Sequence, residues 1–92
     1  MEWRASHILV KDAATAEKLY ERARRGESFE SLARQYSTCP SKSKGGDLGW
    51  FGEGKMVPAF ENAVRRMSMR SISRPVRSQF GYHIIKKTGE RE

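Results

Sequence analysis

From residue 3 to residue 10 the apolar and polar positions alternate, with Ile8 and Val10 on one face and Ala5, His7 and Leu9 on the other, which is the period of a strand. The period then changes. Ala16, Leu19, Tyr20 and Ala23 fall at i, i+3, i+4 and i+7, the stripe of an amphipathic helix that Asp12 can cap and Gly26 can stop, with Arg24 and Arg25 at its negative end. A second helix, with Ser28 as N-cap, is predicted to bury Phe29, Leu32, Ala33 and Tyr36 and to end near Ser37, ahead of Pro40. Residues 41–55 hold five of the eight glycines, too many for a helix, yet Leu48, Trp50 and Phe51 pull the segment onto the body, with a short strand at 49–52. Pro58 suits the first turn of a third helix with the stripe Phe60, Ala63, Val64 and Met67. "SISRPV" predicts a short strand with Pro75 at an edge or strand end, and residues 81–87 form the last strand. Helices on one side of a small antiparallel sheet make an α+β domain.

Length limits this picture to one core, and residues 1–92 read as a single domain that buries roughly 60–65% of its unfolded surface. There is no internal repeat and no compositional break. A lone cysteine, Cys39, excludes an internal disulfide and any multi-cysteine zinc pattern, and it suits a reducing compartment. No apolar run approaches the ~20 residues of a membrane span, and "MEWRASHILVKD" lacks the basic start and apolar stretch of a leader, so the expectation is a cytoplasmic monomer. The net charge of +7 attracts polyanions without naming a partner. Arg22, Arg24, Arg25, Arg65, Arg66, Arg70, Arg74 and Arg77 could form a weak nucleic-acid surface, although aromatic residues are not interleaved with them and a solvated helix face explains them as well.

One feature resists the patterning: the only two histidines, His7 and His83, each interrupt an otherwise apolar strand. Periodicity alone assigns such residues to structure, Phe60 to core packing, and Cys39 to a small buried hydrophobe. The blocks around them carry more. "SHILVK", then "FESLARQYS" with "CPSKSKGGDLGWFGEGKMVPAFENAV", then "SRPVRSQFGYHIIKK" resemble, in order and spacing over residues 5–87, the parvulin family of peptidyl-prolyl cis-trans isomerases. The resemblance implies a β-α3-β-α-β2 order around a four-stranded antiparallel sheet, surrounded by helices, with an extra helical turn near residues 40–46.

It also implies a site. Leu48, Met56 and Phe60 stand at the family's proline pocket, and Phe80 at a position lining it in part of the family. His7 and His83 match two family histidines lying side by side on neighbouring central strands, where each imidazole can satisfy the other, with the hydroxyl of Ser78 completing the network. Cys39 matches a position holding a cysteine in some parvulins and an acid in others, an interchange that argues against an obligatory nucleophile.

The implied reaction needs no cofactor and no metal. Rotating an X-Pro amide breaks resonance at a barrier of ~18–20 kcal/mol, and uncatalysed it takes tens to hundreds of seconds. A dry apolar pocket that binds the proline ring and fits the twisted amide accelerates it, so the expected partners are proline-containing peptides and unfolded or partly folded proteins. Phosphate-selective parvulins carry a long arginine-bearing loop after the first strand. "VKDAAT" leaves no room for one, which predicts phosphorylation independence with Lys11 as the lone cation there. A proline-segment binding module would use the same pocket without catalysis, and a cysteine hydrolase would need an oxyanion-hole signature that is not recognisable. Arg70 stands where the family commonly has a turn glycine, a residue that often serves a positive φ angle.

Overall fold

The computed structural model describes residues 1–92. Its strands are β1 (Glu2–Val10), β2 (Asp47–Gly52), β3 (Val76–Ser78) and β4 (Gly81–Arg91), and its α-helices are α1 (Ala13–Arg24), α2 (Phe29–Tyr36) and α3 (Pro58–Arg66). A 3-10 helix, Pro40–Lys44, supplies the extra turn that the parvulin resemblance implied. The strands lie in the order β2-β1-β4-β3, with every neighbouring pair antiparallel. The first and last strands are therefore the central pair, and Glu2 faces Arg91 at one end of their ladder with an ion pair of 2.8 Å between them.

The helix ends form where local chemistry directs them. Asp12 accepts a hydrogen bond from the Thr15 amide at 2.9 Å, and Ser28 accepts from Ser31 at 3.2 Å, satisfying amides that have no partner inside the first turn. Gly26, at φ +108°, ends α1 in a conformation that a side chain would strain. Arg70, at φ +67°, is the one residue other than glycine with positive φ, a conformation that glycine takes without the penalty of a side chain.

The pattern-based placement of helices on one side of the sheet is corrected by the packing. α1 and α2 cover one face through Ala16, Leu19, Ala23, Phe29, Leu32 and Ala33 against Ile8, Val10 and Ile84. α3 covers the other through Phe60 and Val64 against Trp3, Ala5, Phe51 and Ile85. A central strand pair must be apolar on both faces, which is why both sets of alternating positions in β1 are buried. Three smaller differences follow. Tyr36 is exposed at the end of α2, where its hydroxyl accepts from Arg22 at 3.1 Å. The strand expected over "SISRPV" begins only at Val76, with Ile72 making an isolated bridge to Lys86. β4 runs on to Arg91, and Lys87 is buried within it, its ammonium donating to the Met67 carbonyl at 3.0 Å and to Glu90 at 2.6 Å.

Candidate active site

β1 and β4 bring the two histidines together on the α3 face. Leu9 is the register partner of His83 and Ile85 that of His7, so the imidazoles are diagonal neighbours across the central ladder. Their Nδ1 atoms lie 2.9 Å apart and the rings stack at 5.1 Å with 20° between planes. One Nδ1 must donate and the other accept, so the two tautomers are coupled. On the far side, Ser78 of β3 places its hydroxyl 2.6 Å from His83 Nε2, and that same oxygen accepts the Phe80 amide at 3.1 Å. The chain of hydrogen bonds ends at His7 Nε2, which is buried without a protein partner.

Both rings are buried, at 5% and 4% exposure, and Phe60 of α3 meets each edge-to-face at 5.6 and 5.5 Å. Phe60 is held in turn by Phe51 at 5.9 Å, which packs on Trp3 at 6.0 Å, so the aromatic floor continues into the core. Burial pushes the His7 pKa down to about 4, with the charge of His83 adding to the effect. Burial likewise lowers that of His83. At neutral pH the pair is uncharged, which suits hydrogen bonding in a dry floor and not proton transfer to a substrate.

Above this floor opens a cavity of about 620 Å³. His7, Cys39, Leu48, Met56, Phe60, Phe80 and His83 all line it, so seven of the eight site residues expected from the sequence meet around one space. Ser78, the eighth, stands behind His83 as its hydrogen-bond partner. Core packing and pocket lining prove to be one role for Phe60, which is 2% exposed, while Leu48 and Met56 both touch the α3-side core and line the cavity. Phe80 is 49% exposed, forming a rim. Cys39 is half-buried, and its thiol makes no hydrogen bond to either imidazole; His7 Nε2 has no protein partner, so the thiol–imidazole pair that a hydrolase needs is not formed here.

Sequence reasoning missed Leu9, Thr38, Pro40, Lys55 and Val57 in the lining. It also missed Ser37, which is 2% exposed and whose hydroxyl accepts the amides of Leu9 at 3.0 Å and Cys39 at 3.3 Å, while Thr38 donates its own amide to the Leu9 carbonyl at 2.8 Å. These bonds fasten the Cys39 wall to β1. The signal was available as a serine and threonine directly after a helix, a place where short hydroxyl side chains bond to backbone. Lys11 donates to the Phe80 carbonyl at 3.2 Å, linking the end of β1 to the rim.

Comparison with known proteins agrees with this geometry. The family model described as "Rotamase: PPIC-type PPIASE domain" matches residues 7–89. Foldase protein PrsA 1 of Bacillus cereus is 58% identical over 92 residues, which is 99% of this chain and 32% of that protein. The crystal structure of the peptidylprolyl isomerase PrsA from Bacillus anthracis superposes with a TM-score of 0.97 at 49% identity, covering 99% of this chain and 42% of that one. The parvulin of Nitrosopumilus maritimus superposes with a TM-score of 0.85 at 40% identity, covering 96% of both chains. The chain thus spans about a third of the length of the curated PrsA relatives it matches and nearly all of a stand-alone parvulin. With the family model covering the paired histidines and the whole cavity wall, this chain belongs to the parvulin family of peptidyl-prolyl isomerases, as a rotamase domain of the PPIC type.

Proposed function

We propose that this domain accelerates rotation about X-Pro amides in peptides and in unfolded or partly folded proteins by non-covalent means and without requiring phosphate. The observation that carries the proposal is the apolar cavity set over two neutral, mutually bonded imidazoles. The proline ring rests on Phe60 between Met56 and Leu48, surfaces that grip by shape and dispersion. Seating it strips water from the preceding amide, whose planar form carries charge on oxygen that water would stabilise, so the twisted form gains relative to either planar form. His7 and His83 hold the floor in shape and move no proton.

Phosphate independence is supported by the connection between β1 and α1, which is only Lys11 and Asp12, with Asp12 engaged in capping and Lys11 bonded to Phe80. No arginine lines the cavity. Four of the eight arginines that suggested a nucleic-acid surface, Arg22, Arg24, Arg25 and Arg65, are paired with glutamates, which favours the reading of a solvated face. A cytoplasmic, monomeric state belongs to the same proposal and is checked by cell fractionation and by the mass in solution.

The test is NMR exchange spectroscopy on a short X-Pro peptide, phosphorylated and not, with catalytic amounts of protein. Accelerated exchange of similar size in both is expected. Binding without acceleration would leave a proline-segment binding module, and acceleration of the phosphorylated peptide alone would overturn the specificity.

A further inference from the structure

The wall of the cavity formed by Lys55, Met56 and Val57 comes from the connection between β2 and α3, and little in its own backbone holds it. Gly54 sits there at φ +79° with open space around it, the Lys55 amide reaches the Gly52 carbonyl only at 3.4 Å, and the backbone is fastened to that of α3 only at Val57, whose carbonyl accepts the Phe60 and Glu61 amides at 3.0 and 3.1 Å. Beside the packing of Met56 and Val57 on the α3-side core, a second restraint comes from α3. Glu61, whose side chain is 13% exposed, accepts the Gly54 amide on Oε1 at 2.8 Å and Arg65 Nε on Oε2 at 3.2 Å. Arg65 donates a second bond to Glu53 at 2.8 Å and lies over the buried ring of Trp3, 4.9 Å from its centroid. Two consecutive residues of the connection, Glu53 and Gly54, are thus tied to one helix by a charge-assisted network anchored on the core.

We infer that Glu61 and Arg65 are positioning residues for the isomerase reaction, clamping the 53–57 connection so that Met56 stands at the proline-binding wall. Neither side chain lines the cavity, so their influence passes through the backbone they hold. The inference rests on the isomerase reading proposed above and adds to it a determinant of substrate affinity outside the pocket.

The test measures KM and kcat on an unphosphorylated X-Pro peptide together with the Met56 ε-methyl resonance. Glu61→Leu, which removes both acceptors, is expected to raise KM about tenfold with kcat changed much less, because the wall that binds the ring is loosened while the floor is intact. The Met56 methyl should shift and broaden. Glu61→Gln keeps an acceptor for the Gly54 amide and should recover most of the loss. Should Glu61→Leu fail to fold, Arg65→Lys at a half-exposed position carries the test, with a smaller rise in KM and a displaced Met56 methyl. Wild-type KM and an unmoved Met56 resonance in the folded variants would overturn the clamp. A wild-type protein that does not accelerate exchange would overturn the isomerase reading instead, and the Met56 resonance would still report on the clamp.

Discussion

His7 and His83 titrate below the ordinary imidazole range because burial penalises the charged ring. An unfolded chain therefore binds protons at these positions, from about pH 6.5 downward, before the folded one does. Stability from the pair is complete above pH 6.5 and is lost as the pH falls toward 4, with a contribution from His7 of about 3 kcal/mol. Urea unfolding between pH 7 and 4 should show this loss, and a His7→Phe variant should reduce it to the part that His83 contributes. Replacing either histidine by alanine strands its partner's Nδ1 in a dry site, an expected cost of roughly 1–3 kcal/mol, so melting temperature should fall at least as clearly as activity. Unchanged melting with full activity in both variants would contradict the structural role. Cys39→Asp should retain most of the isomerase activity, since no imidazole activates the thiol; a folded but inactive variant would restore the nucleophile. The histidines were legible as anomalies in apolar strands, but their pairing was not, because residues 76 positions apart become neighbours only through the central ladder.

Caps and stops were the most readable features, since Asp12, Ser28, Gly26 and Pro58 act within one turn of themselves. The two-sided sheet was harder to read. Alternation in β1 looks one-sided until β4 is known to lie beside it, and residues 88–91 fall outside the expected last strand although they continue it beyond the buried Lys87. Turns supply the sharper tests here. Arg70 holds a left-handed conformation that costs a side chain ~1–2 kcal/mol, partly offset by the greater freedom of glycine when unfolded, so Arg70→Gly should raise the melting temperature by a few degrees. Thermal melts of the two proteins decide it. Gly46 is the opposite case. At φ +88°, a Cβ there would stand 2.4 Å from the His7 carbonyl, so Gly46→Ala should push β1 at the active site and cost more than about 2 kcal/mol together with activity, measured by denaturant titration and peptide exchange.

As a body, the domain divides its labour between the two faces of one sheet. α1 and α2 seal a core whose buried residues line no part of the cavity, while α3 closes a second core whose last layer, Phe60 with the histidines, doubles as the cavity floor. The resemblance to parvulins made this site legible where patterning could not, because its lining is gathered from β1, the 3-10 turn, β2, α3 and β4 and from the connections that follow β1, α2, β2 and β3. The meeting of Glu2 with Arg91 carries a consequence of its own. A fold that enters and leaves through adjacent strands can be cut into another polypeptide like a cassette, both junctions arriving at one doorway and neither having to stretch. A circular permutant closed across that doorway with a short glycine linker and opened between Gly26 and Glu27 should fold and keep its cavity working.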